Sequence, residues 1–208
     1  MDVSALGSVH ELDLSWCTGV VDVGALGSVH ALDLAWCAGV VDVSALGSVH
    51  SLDLSGCTGI VNVGALSRVH TLSLRVCTGV VDVSALGSVH TLDLSWCAGV
   101  ADVSALSRVH TLRLAGCLGV VDVSALSVQH VDGGVHTLDL SYCPGVKDVS
   151  ALSRVHTLLL AVCTSVVDVG ALGPVRTLNL YRCTGVRVGL DALGRVRDLT
   201  LPDGMRRK

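Results

Sequence analysis

The sequence has no phenylalanine, and its three tryptophans and two tyrosines are the only other large rings in 208 residues. Half the chain is nevertheless hydrophobic. A core organised around aromatic rings is excluded; the apolar material is Val, Leu and Ala, which suits thin, regular layers. No apolar run approaches the roughly 18 residues of a membrane helix, so a membrane is not expected as a partner. The opening residues MDVSALG lack the basic start and unbroken apolar stretch of a secretory signal. There is no N-x-S/T sequon. Missing too are a phosphate-binding glycine loop, a paired-cysteine zinc knuckle and a strip of interleaved basic and aromatic residues. No cofactor and no nucleic acid are therefore expected. Lys and Arg are absent from residues 1–67, which carry seven acids, while residues 176–208 hold eight basic groups against three acids. The net charge of −4 hides that gradient.

What is present is repetition. Residues 77–97 read CTGVVDVSALGSVHTLDLSWC, and nearly the same string recurs at a step of twenty residues from Met1 onward. A period of that size predicts one solenoid of about ten coils over residues 1–208. Within a coil the apolar positions run Val83, Leu86, Val89, Leu92, Leu94, Cys97 and Val100. Their spacing fits neither a 3.6-residue helix nor a long strand. Only V-H-T-L-D-L-S alternates, which predicts a short strand with Leu92 and Leu94 inward and Thr91, Asp93 and Ser95 outward. The glycine of C-T-G-V eases a turn, and D-V-S-A-L is too short for a stable helix, so an extended or 3₁₀ return follows. One coil alone leaves both flat faces wet. Stacking closes them and pairs the strands in parallel at about 4.8 Å per coil.

Two copies depart from the pattern. The seventh carries six extra residues between Ser127 and Val135, where Gly133 and Gly134 mark a loop. The tenth drifts over residues 187–208 into a charged tail that fits a partial cap.

The string V-x-x-L-x-L-x-x-C resembles the leucine-rich-repeat signature L-x-x-L-x-L-x-x-N/C-x-L along essentially the whole chain. The continuation C-T-G-V-V-D-V resembles cysteine-type repeats, and D-V-S-A-L is similar to the D-I-x-P-L return of internalins. The resemblance implies an α/β-class, right-handed solenoid dominated by short parallel β-strands, with a turn or 3₁₀ convex side. Twenty residues leave no room for a convex α-helix, so little curvature is expected. The resemblance also implies that the cysteine is buried against backbone groups of the turn.

Each recurring column then has a structural and a functional reading. The nine cysteines, one per coil from Cys17 to Cys183, read as a reduced thiol ladder. Disulfides between coils are disfavoured, because Cβ atoms about 4.8 Å apart exceed the roughly 3.8 Å a bridge needs. Reduced thiols point to a cytoplasmic location. The histidines His10 to His156 read as a partly exposed stack that Arg176 and Arg197 continue. Asp2, Asp22, Asp42 and their equivalents, with Asn62 once, read as caps of the return.

A second aspartate file, Asp13, Asp33, Asp53, Asp93 and Asp139, has Ser73, Arg113, Leu159 and Asn179 at the same place elsewhere. No structural rule for Asp is visible there, so its first three members with Glu11 read as an acidic strip for a basic partner. The residue before each cysteine varies most: Trp16, Trp36, Gly56, Val76, Trp96, Gly116, Tyr142, Val162 and Arg182. Aromatics there read either as contact anchors or as shields of the turn.

No polar set is unique to one place, as an active site would be. The expected function is a non-enzymatic scaffold that binds a protein. Its sheet would present Glu11, Asp13, Asp33, Asp53, Arg75, Arg113 and Tyr181, with Trp16, Trp36, Trp96 and Tyr142 on the rim. Head-to-tail self-association through the oppositely charged ends is the alternative, or surface adhesion if a signal has been removed.

Overall fold

The computed structural model describes residues 1–127 and 134–205. Most of the insertion in the seventh copy, including Gly133, and the last three residues of the expected cap lie outside the described residues.

Ten three-residue strands form the spine. They are β1 (Glu11–Asp13), β2 (Ala31–Asp33), β3 (Ser51–Asp53), β4 (Thr71–Ser73) and β5 (Thr91–Asp93), followed by β6 (Thr111–Arg113), β7 (Thr137–Asp139), β8 (Thr157–Leu159), β9 (Thr177–Asn179) and β10 (Asp198–Thr200). All belong to one parallel sheet in chain order. Its register pairs each residue with its equivalent one repeat on, as in Leu32↔Leu52 and Asp33↔Asp53. A parallel neighbour needs a crossover, and the return supplies it: Val83 leads into a 3₁₀ turn at Ser84–Ser88, which the Val89 N–H closes onto the Leu86 carbonyl. Asp82 Oδ1 accepts the Ser84 N–H at 2.9 Å and starts that turn.

The seven inward positions of a middle coil are all as expected. Val83, Leu86, Val89, Leu92, Leu94, Cys97 and Val100 are each at most 1% exposed. Equivalent side chains from every coil join one continuous core. In the first coil Leu6, Val9, Leu12 and Cys17 are only partly buried, as a layer with a neighbour on one side must be. Among the described residues no helix is long and apolar enough to cross a membrane.

One expectation fails. Ser95 was to point outward, yet it is buried, as are Ser55 and Ser141. The strand ends at Asp93, whose carboxylate accepts the Ser95 N–H at 2.8 Å and bends the chain into a turn. The strand therefore ends two residues earlier than the apolar pattern implies, and alternation fails at Ser95. For the same reason Arg75 and Tyr181, expected on the sheet, lie in the turns after β4 and β9, where both are exposed.

Candidate interaction surface

The turn after each strand is built by three groups. The last strand residue starts it where that residue is Asp or Asn: Asp13, Asp33, Asp53, Asp93 and Asp139 accept the N–H two residues on, and Asn179 does the same for Tyr181. This is the structural rule that the sequence concealed. It also means that Asp13, Asp33 and Asp53 of the acidic strip each have one oxygen engaged.

Next, the residue before each cysteine adopts the left-handed conformation, with φ from 55° at Arg182 to 74° at Gly56. Its N–H can then reach the next coil, as Trp36 N–H does to the Ser55 carbonyl at 2.6 Å. Gly56 and Gly116 were the visible signal, since glycine is the default residue for that conformation. Valine is not, because its β-branch crowds the backbone there. Val76→Asn is expected to raise stability by about 1 kcal/mol by relieving that strain, and Tm by about 2–4 °C. Calorimetry showing a lower Tm would refute the strain argument.

Last, the cysteine ties the turn to its neighbour. Cys37 Sγ donates to the Leu14 carbonyl of the preceding coil at 3.0 Å, and the contact recurs through Cys183 to Leu160 at 2.9 Å. Burial pushes the Cys57 thiol up to about 11 and the Cys117 thiol up to about 12. Such thiols are protonated, donate hydrogen bonds and are poor nucleophiles at neutral pH.

On this frame the outward residues form three groups. On the sheet, Glu11, Asp13, Asp33 and Asp53 line a shallow open groove floored by Leu12 and Leu32, beside Ala31 and Ser51. Partial burial, and then the like charges of Asp53 and Asp13, raise the Asp33 carboxyl above its ordinary value. Hydrogen bonds from Ser15 lower that of exposed Asp13. Arg113 ends β6 and is exposed, three strands away from Asp53.

The rim carries two aromatic clusters. Trp16 stacks on Trp36 at 5.0 Å, and Trp96 meets Tyr142 at 5.7 Å with a 38° tilt. Trp36 also covers Gly56, where a Cβ would fall 2.5 Å from its ring, and Trp96 covers Gly116 in the same way. The rings thus shield the turns and still remain exposed, Trp16 by 67% and Trp36 by 39%. Tyr181 stands apart, with the Arg182 guanidinium 5.3 Å from its ring centre.

The third group is the histidine file. Consecutive rings from His10 to His156 stack with centroids 4.4 to 4.9 Å apart. Near-parallel rings aim their lone pairs side by side, a poor arrangement for one shared ion. Among the described residues no group of three or more His, Cys, Asp or Glu side chains could hold a metal.

No protein-family model matches the sequence, and no curated protein does. Solved structures do match. Internalin InlF from Listeria monocytogenes aligns with a TM-score of 0.64 at 16% identity, covering 94% of this chain and 68% of that one. Internalin C2 from the same organism aligns at 0.53 and 20% identity, covering 92% and 80%. The leucine-rich-repeat domain of the type III effector XopL aligns at 0.62 and 15% identity, covering 86% and 71%. At those identities the likeness is one of fold. With ten parallel strands in one sheet, 3₁₀ returns and a twenty-residue period, this chain has the leucine-rich-repeat solenoid fold.

Proposed function

We propose that the protein is a non-enzymatic interaction scaffold whose sheet face and aromatic rim bind a protein partner through basic groups. The observation that supports this reading is the register. Parallel pairing sets Asp13, Asp33 and Asp53 opposite one another in adjacent strands. Among the described residues none of the three is in an ion pair. Like charges so placed oppose folding unless a partner offsets them, and turn formation needs only the side-chain oxygen that Asn179 also supplies. Arg75, Arg113 and Tyr181 extend the contact along the solenoid, and Trp16, Trp36, Trp96 and Tyr142 provide apolar anchors beside it. Nine free cysteines fit a reducing compartment, and the cytoplasm is the location that goes with this reading.

The test is a purification of partners on immobilised protein, with Asp13→Asn, Asp33→Asn and Asp53→Asn combined, and separately Trp36→Gly. Asn keeps the turn and Gly suits the left-handed position, so both variants retain the fold. A specific partner should be recovered by the parent chain and lost from both variants. Equal recovery from all three would remove the sheet face from the function. The charge gradient from residues 1–67 to residues 176–208 favours end-to-end self-association as a second reading. Light scattering that shows a monomer at every concentration in low salt would eliminate it.

A further inference from the structure

Another surface runs along the returns. Val21, Val41, Val61, Val81, Val121 and Val167 are 48 to 64% exposed and form one file. Part of their role is local: a methyl of Val21 lies 3.0 Å from where a Cβ at Gly39 would be, and Val41 and Val121 cover Gly59 and Gly145 equally closely. That role does not demand valine, because Ala101, Lys147 and Arg187 occupy the same place in other coils. The fold alone therefore leaves an exposed apolar ridge unexplained.

Beside it runs a file of carboxylates, Asp22, Asp42, Asp82, Asp102, Asp122 and their equivalents. The two files share a surface: Val41, Asp42, Ser44, Val61, Asn62 and Ala65 line one shallow groove between coils. Each Asp accepts an N–H of its turn, as Asp42 Oδ1 does from Ser44 at 2.9 Å, and its carboxylate stays exposed to a partner. Among the described residues none of these carboxylates is in an ion pair.

We propose that this strip docks the apolar face of an amphipathic helix flanked by Lys or Arg, contributed by a protein partner. An α-helix laid along the file advances about 5.4 Å per turn, close to the roughly 4.8 Å between coils, so successive turns meet successive valines. Charge selects among the occupants. A second copy meeting strip to strip would bring two carboxylate files together, and an anionic membrane surface would be repelled. A basic helix satisfies both files at once. This surface is separate from the sheet face, and each can be disabled without the other.

The probes are two fluorescent synthetic peptides of about 18 residues, five helical turns, with leucine on one face. The polar face is lysine in one and glutamate in the other, and binding is read by anisotropy. The protein should bind the lysine peptide and not the glutamate peptide. Asp42→Asn, Asp82→Asn and Asp102→Asn combined should weaken binding about tenfold, as three exposed charge pairs would. The fold survives that change, because Asn62 already holds its turn by accepting the Gly64 N–H at 3.0 Å. Val41→Ser, Val61→Ser and Val81→Ser combined should weaken it at least as much. The sheet-face variant Asp13→Asn, Asp33→Asn and Asp53→Asn should bind as the parent does. Absence of binding, equal binding of the glutamate peptide, or undiminished binding by either strip variant overturns the proposal. So does sedimentation showing that the strip takes a second copy.

Discussion

Between about pH 9 and about pH 10 the folded protein is expected to give way to the unfolded chain in one steep step. A thiol of the unfolded chain ionises near its ordinary value of 9.0, whereas burial pushes Cys57, Cys97 and Cys143 up to about 11 and Cys117 and Cys163 up to about 12. Cys77 is pushed higher still. The fold thus keeps protons that the unfolded chain gives up. Stability is complete below about pH 9 and falls as the pH climbs toward the folded values. At about pH 10 each such thiol opposes folding by roughly 1 kcal/mol, and the six together by several kcal/mol. That rivals the whole stability of an ordinary domain. Circular dichroism and thiolate absorbance, followed in reductant, should change together. Thiolate absorbance that rises near pH 9 while the sheet signal persists would show that the ladder is not shielded. The acid limb is shallower and opposite in cause. Hydrogen bonds from the returns hold Asp2, Asp42, Asp82, Asp102, Asp122 and Asp148 below the ordinary 3.8, so their contribution is lost only as the pH falls below about 4. Asp33, which is raised, works slightly against that trend.

Leu94→Asp is expected to divide the molecule. Leu94 is fully buried, in file with Leu74 and Leu114. Its carbonyl accepts both the Cys97 N–H at 3.0 Å and Cys117 Sγ at 3.0 Å. A carboxylate there has no cation within the core, and an unpaired buried charge costs about 3–5 kcal/mol. Because each coil touches only its neighbours, the damage stays local and uncouples the coils on either side. Calorimetry should resolve two transitions where the parent shows one, and hydrogen exchange should be fastest from residue 77 to residue 117. The adjacent change Asp93→Asn keeps the turn and should leave a single transition near the parent Tm. One unshifted transition for Leu94→Asp would contradict the shared core.

The core was readable because the chain repeats its own experiment. Val83, Leu86, Val89, Leu92 and Leu94 hold apolar residues in nearly every copy, so their burial follows from pattern alone. Capping by Asp82 was readable from the local chemistry of Asp before a short return. The candidate surface was less so. Trp36 reads in sequence as a variable residue with freedom; in the fold its backbone is held left-handed and its ring is laid over Gly56. The file of Asp33 reads as unconstrained because Ser73, Arg113 and Leu159 replace it, yet where Asp or Asn stands it starts the turn. Both roles depend on atoms two residues or one coil away, which no column by itself contains.

What the sequence determined by itself is the period, the inward side chains and therefore the stacked parallel solenoid, since repeated apolar faces admit no other burial. Tertiary structure alone decided where each strand stops, which backbone positions turn left-handed, and which exposed files of Asp, Val and Trp lie side by side. Those are consequences of one coil meeting the next, and stacking distances do not exist until the coils are stacked.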